Sequence, residues 1–245
     1  MENNMNTGFR GLRNVVLGAV LVGCSLSVSA GGVGIDATRI IYPEQSKSVT
    51  TSVRNTDTRD SYLTQVAVSS TPDGGSAPFV ATPPLFRMEP GGRNQIRITR
   101  TSQTGLPSDR ESLFWFSMRA IPSSEEVKGS PTKLTGSMQI ALGTFIKLIY
   151  RPVNLPVPPE KGFGMLTFTR AADGVRVHNA SPYYVSFFSL KVGGRELITS
   201  DQKVKMVAPL SDVVVPGRKL SFPSKVTWTA INDIGGEVKF QGEVQ

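Results

Sequence analysis

From residue 32 onward the chain is a succession of short runs rich in Val, Ile, Thr, Phe and Tyr, bounded by Gly, Pro, Asp and Asn. Apolar and polar positions alternate along these runs, and runs of that kind at a spacing of roughly 8–12 residues predict an all-β sandwich. The reason is geometric, since successive side chains of a strand point to opposite faces. The first set predicts seven strands, at residues 34–42, 48–54, 62–69, 79–88, 95–100, 113–121 and 138–150, the count of an immunoglobulin-like sandwich. A second set follows at residues 165–170, 175–179, 184–192, 204–207, 213–215, 225–231 and 237–244. No segment carries a convincing helical period.

Between the two sets, residues 152–162 hold Pro152, Pro156, Pro158 and Pro159, which favour a stiff extended connection over a sheet interior or a helix. The expected organisation is therefore a first domain over residues 31–151, a Pro-rich linker over 152–162 and a second domain over 163–245. The polar residues 123–135 have the composition of a mobile loop ahead of the seventh strand.

That seventh strand, within residues 138–152, is unusually long, since an average strand has about 5–6 residues. Met138, Ile140 and Leu142 alternate with Gln139, Ala141 and Gly143, and a lone Lys147 follows. Such a strand either crosses the whole domain facing its own core or offers its side chains to something else.

Residues 1–30 have the three parts of a secretory signal peptide: Arg10 and Arg13, the apolar run Val15 to Val22, and the small residues Val28-Ser29-Ala30. Cleavage after Ala30 would release a soluble protein. Cys24, preceded by Leu21-Val22-Gly23, also has the form of a lipidation site, so a lipid anchor is the alternative. Removing Arg10, Arg13 and Glu2 takes the formal charge from +8 to +7, and the mature chain would have no cysteine. It must then rest on hydrophobic cores, which two domains of about 100 residues can supply. The basic residues are scattered singly, as in Arg93, Arg97 and Arg100, and read as a solvated face or an attraction to an acidic partner. An exported chain is not expected to meet nucleic acid.

There is no Gly-rich phosphate loop, no Cys/His cluster of metal-ligand spacing and no Gly-x-Ser-x-Gly elbow. No metal, cofactor or small-molecule substrate is expected. His178, the single histidine, lies in a strand-like stretch and reads as a partly buried sandwich residue. Asp109, Glu111 and Asp233 read as structural ion-pair partners of arginines, and the chain is not expected to be an enzyme.

Several motifs resemble those of the PapD-like periplasmic pilus-assembly chaperones of the chaperone-usher pathway. They are Ala81-Thr-Pro83-Pro84 with Arg87-Met-Glu-Pro90-Gly91; Leu106-Pro-Ser-Asp109-Arg110-Glu111 through Ile121-Pro122; and Ile146-Lys147 through Pro152. In the second domain they are Val177-His-Asn179-Ala-Ser181-Pro182 and Ile231-Asn232-Asp233-Ile-Gly235-Gly236. Ser117 departs from the family pattern, where asparagine is usual.

The resemblance implies two immunoglobulin-like β-sandwich domains arranged as a boomerang with an inter-domain cleft. It also implies a periplasmic chaperone that binds, folds and caps pilus subunits by donor-strand complementation and passes them to an outer-membrane usher. Arg39 and Lys147 would hold the subunit's terminal carboxylate, and Met138, Ile140 and Leu142 would be the donor residues. Glu111, Arg151 and Asp233 would form a buried inter-domain ion network. Long-loop members usually carry a cysteine pair before the seventh strand; its absence here points to the short-loop type. The reading of another class is a secreted β-sandwich component of a fibre, structural or adhesive, which would normally be single-domain and supply its own donor extension.

Overall fold

The computed structural model describes residues 32–101, 105–123, 140–199 and 204–245. In chain order the first strands are β1 (Val33–Ile35), β2 (Arg39–Pro43), β3 (Ser48–Asn55), β4 (Tyr62–Ser69), β5 (Phe79–Thr82), β6 (Leu85–Met88), β7 (Arg93–Arg100), β8 (Ser112–Pro122) and β9 (Leu142–Arg151). They form two sheets, ordered β1-β3-β7-β5 and β2-β9-β8-β4-β6. Alternate side chains of both sheets meet in a core around Tyr42, Val53, Met88, Ile96, Ile98, Phe116, Met118 and Leu148, all fully buried.

A one-turn helix, α1 (Pro159–Gly162), leads to β10 (Leu166–Ala171), β11 (Gly174–Asn179), β12 (Val185–Val192), β13 (Arg195–Glu196), β14 (Met206–Val207), β15 (Ser211–Pro216), β16 (Ser224–Ile231) and β17 (Glu237–Val244). These curl into one sheet ordered β13-β12-β16-β17-β10-β11-β15, with β14 also paired to β12. A second core fills it, with Val175, Val177, Leu190, Val226 and Ala230 fully buried. The Trp228 indole N–H in that core donates to the Phe163 carbonyl at 3.1 Å, which satisfies the polar end of a large buried ring. The protein is thus all-β in its sheets, with two immunoglobulin-like sandwich domains.

Several expected elements differ. The strand expected at residues 34–42 is two strands in different sheets: β1 pairs with β3, and β2 pairs in parallel with β9. The apolar phase changes between them, from the odd positions Val33 and Ile35 to the even positions Ile40 and Tyr42. Asp36 marks the crossing, its N–H bonded to the Ser52 carbonyl at 2.9 Å and its carboxylate paired with Arg54 and Arg93. The strand expected at residues 79–88 likewise divides into β5 and β6. Pro83 and Pro84 lie between them and can donate no ladder hydrogen bond.

Among the described residues the first domain therefore has nine strands where the pattern predicts seven. The short β13 was not expected, and α1 replaces part of the extended connection expected over residues 152–162. Pro159 occupies the first helical turn, where its missing N–H removes no helical bond and its fixed φ suits the helix.

Candidate functional site

β9 has 10 residues and serves three neighbourhoods along its length. From Leu142 to Tyr150 it pairs with β8 on one side. On its other side β2 begins only opposite Lys147, so residues 142–146 have no ladder partner there among the described residues. This is an open sheet edge, a ready template for another strand. The expected donor residues divide: Met138 lies outside the described residues, whereas Ile140 and Leu142 are 60% and 41% exposed. Leu142 pairs with the fully buried Ala120, so it sits on the core-facing side of the sheet but beyond the point where the second sheet covers it.

Where the open edge ends, the parallel register sets Arg39 of β2 directly opposite Lys147 of β9. Arg39 is 9% exposed; its guanidinium donates to the Ile231 carbonyl at 3.0 Å, while its Nε has no hydrogen-bond partner. Lys147 Nζ donates to Ser186 Oγ at 3.0 Å. Neither cation forms an ion pair with an acid of the described residues. Burial, reinforced by Arg39, pushes the Lys147 ammonium down to about 8. Burial also pulls the Arg39 pKa down, opposed by the more distant charges of Asp233 and Glu111. Two desolvated cations with no direct ion pair among the described residues are costly alone. An anion bound between them would relieve that cost through charge-assisted hydrogen bonds.

The third neighbourhood is the end of β9. Arg151 donates from Nε to Glu111 at 2.7 Å and grips both oxygens of Asp233 at 2.6 and 2.8 Å. Glu111, 3% exposed, also accepts the Tyr184 N–H at 2.7 Å. Burial raises the Glu111 pKa, and Arg151 with the Tyr184 N–H opposes the rise. Burial alone would lower the Arg151 pKa, yet hydrogen bonds and charges from Asp233 and Glu111 carry it above the ordinary arginine value. The structure brings all three residues together, and they join strands of both sheet systems.

Asp233 lies in the β16–β17 turn, and Arg39 holds the carbonyl of Ile231 at the start of the same turn. Gly235 has φ +85°, and a Cβ there would lie 2.8 Å from Thr38 Oγ1. The left-handed backbone and the close approach to β2 both require glycine. The turn therefore connects the cation pair to the ion network.

Ser186, the Ile231 carbonyl and the Tyr184 N–H could not be found from sequence, because each acts only by being brought close to a distant residue. Phe145 had a signal: a large apolar residue out of phase with Ile140 and Leu142. It is 54% exposed and meets Trp115 edge-on, ring centres 5.5 Å apart. Leu63 and Ile121, register partners on β4 and β8, are both 44% exposed on the same sheet. His178 is half-exposed and faces Asp212 at 3.2 Å.

Residues 32–156 match the family described as pili and flagellar-assembly chaperone, PapD N-terminal domain. Residues 162–242 match pili assembly chaperone PapD, C-terminal domain. The chaperone protein FocC of Escherichia coli is 39% identical over 222 residues, 90% of this chain and 93% of that protein. FimC of Escherichia coli K12 is 34% identical over 242 residues, 95% of each. Among solved structures, the periplasmic chaperone SfaE has a TM-score of 0.69 at 36% identity, covering 87% of this chain and 99% of that one. The SafB chaperone, solved in complex with the Salmonella enterica SafA pilin, has a TM-score of 0.73 at 31% identity, covering 86% and 96%. The chain belongs to the PapD family of pilus-assembly chaperones.

Proposed function

We propose that this protein is a non-enzymatic periplasmic chaperone that binds, folds and caps pilus subunits by lending them β9, then delivers them to an outer-membrane usher. The observation that carries the reading is the edge of β9 at residues 142–146, open among the described residues, which ends at Arg39 and Lys147, cations without an ion pair among those residues. A subunit strand adds to the edge, its terminal carboxylate sits between the cations, and Met138, Ile140 and Leu142 enter its incomplete core. Strand addition draws affinity from main-chain hydrogen bonds and specificity from alternate side chains. Arginine supplies a planar fork and lysine a point charge.

In this reading residues 1–30 are an export signal cleaved after Ala30, residues 31–151 and 163–245 are the two domains, and residues 152–162 connect them. The two family matches, at residues 32–156 and 162–242, support that division. Glu111, Arg151 and Asp233 fix the angle between the domains.

Co-expression with candidate pilus subunits, followed by pull-down and mass spectrometry, tests the function. The parent chain is expected to retain a subunit that Lys147→Ala loses. Equal recovery by both would remove the carboxylate assignment, and recovery of no subunit by the parent would remove the function. Mass spectrometry of the mature amino terminus tests the leader, with Gly31 expected first and a diacylated Cys24 contradicting it.

A further inference from the structure

Phe145 lies on the face of β9 opposite to Leu142, because the two are three positions apart, an odd offset, along the strand. Its backbone partner across the ladder is Ser117, whose own partner on β4 is Ala67. Gly143, on the same face in the next row and opposite Arg119, carries no side chain, and an added Cβ there would meet nothing within 4 Å among the described residues. Small residues thus leave a shallow trough of about 490 Å³ on this face, with Phe145 on its rim beside the open edge. Trp115 supports the Phe145 ring edge-on, the arrangement aromatic pairs favour. The edge consequently offers large apolar groups on both faces: Ile140 and Leu142 on one, Phe145 on the other, all more than 40% exposed.

A donor residue seated in a client's core accounts for Ile140 and Leu142 but not for Phe145, which points the other way. We propose that Phe145 selects the client: with Trp115 it forms an aromatic platform for a large apolar side chain on the outward face of the strand that adds to β9. The inference rests on the strand-donation reading above. Neighbouring strands of a sheet lie about 4.7–4.9 Å apart, so the client residue level with Phe145 and on the same face lies beside its ring. With the client's carboxylate between Arg39 and Lys147 and β2 occupying the place opposite Lys147, a client strand parallel to β9 has its last residue level with Ile146, and the residue level with Phe145 is the second from the client's end. Preferred clients are therefore apolar on both faces there, where a simple alternation would place a polar residue.

Two synthetic peptides test this, each a strand of alternating valine and serine with a free α-carboxylate, one with phenylalanine and one with serine second from the end. Titrated against the full chain, the phenylalanine peptide is expected to bind about tenfold more tightly, the scale of an aromatic contact with its buried area. Phe145→Ser is expected to erase that preference without weakening the serine peptide, and the Trp115 indole resonance is expected to move only with the phenylalanine peptide. Equal binding of the two peptides to the parent overturns the inference, whether or not the variant folds. An unchanged preference in a folded Phe145→Ser does the same. Failure of both peptides to bind the parent also overturns the inference, whereas the strand-donation reading stands or falls with the subunit pull-down.

Discussion

Arg39 stands directly opposite Lys147 in the parallel β2–β9 register, and its charge adds to burial in holding the lysine near pKa 8. Lys147 therefore keeps its charge at neutral pH and loses it as pH rises through about 8. Client affinity measured from pH 6.5 to 9.5 is expected to fall across that value, because the deprotonated amine no longer attracts a carboxylate. The stability of the free chain has the opposite sign. Between about 8 and the ordinary 10.5 the unfolded chain holds a proton that the folded chain has released, so this group's contribution to stability rises with pH over that window. Urea titrations at the same pH values check it.

Lys147→Met separates function from stability. It removes a buried charge that has no acidic partner among the described residues, so the free chain is expected to melt higher than the parent. Client binding is expected to weaken by about 2–5 kcal/mol, the range for truncating one partner of a buried charge pair. Thermal melts and calorimetric titration with a co-purified subunit read the two effects separately.

Arg151→Ala leaves the nearly inaccessible Glu111 carboxylate without its cation. A loss of about 3–5 kcal/mol in urea unfolding is expected, the range for breaking a buried pair from one side. Asp233→Asn is expected to lose less, because the Asp233 side chain is 32% exposed. A double-mutant cycle on Arg151 and Asp233 is expected to give a coupling of about 0.5–3 kcal/mol; no coupling would remove the bridge as a determinant of domain angle.

Leu142→Ser changes a side chain that is already 41% exposed, so its effect on melting is expected to stay within about 0.5 kcal/mol. Client binding is expected to weaken by about 1.5–3 kcal/mol, the scale of burying one leucine. A similar loss in both measurements would place Leu142 in this chain's own core.

Gly235→Ala puts a Cβ against Thr38 in a left-handed backbone. Destabilisation by about 1–2 kcal/mol is expected. A fall in client affinity should accompany it, since the same turn presents the Ile231 carbonyl to Arg39. Comparing melts and subunit recovery for this variant checks both.

The alternation along the chain by itself determined the all-β class, two strand systems separated near residues 152–162, and strands such as β17, whose span of residues 237–244 coincides with the expected one. The family motifs contain Lys147, Glu111, Arg151 and Asp233, and the resemblance adds Arg39 of the first strand as a candidate. Alternation is a local property, recording which side of a strand each residue takes, and it is legible without knowing the neighbours.

The tertiary structure decided what lies beside each strand. It sent β1 and β2 to different sheets, left residues 142–146 of β9 open on one side among the described residues, set Arg39 against Lys147, and gave them Ser186 and the Ile231 carbonyl. It also turned Phe145 outward onto Trp115. Arg39 and Lys147 lie 108 positions apart in the sequence, and the Ile231 carbonyl that Arg39 holds lies 192 positions away. Contacts at that separation leave no period in the sequence, because folding, not local preference, brings them together.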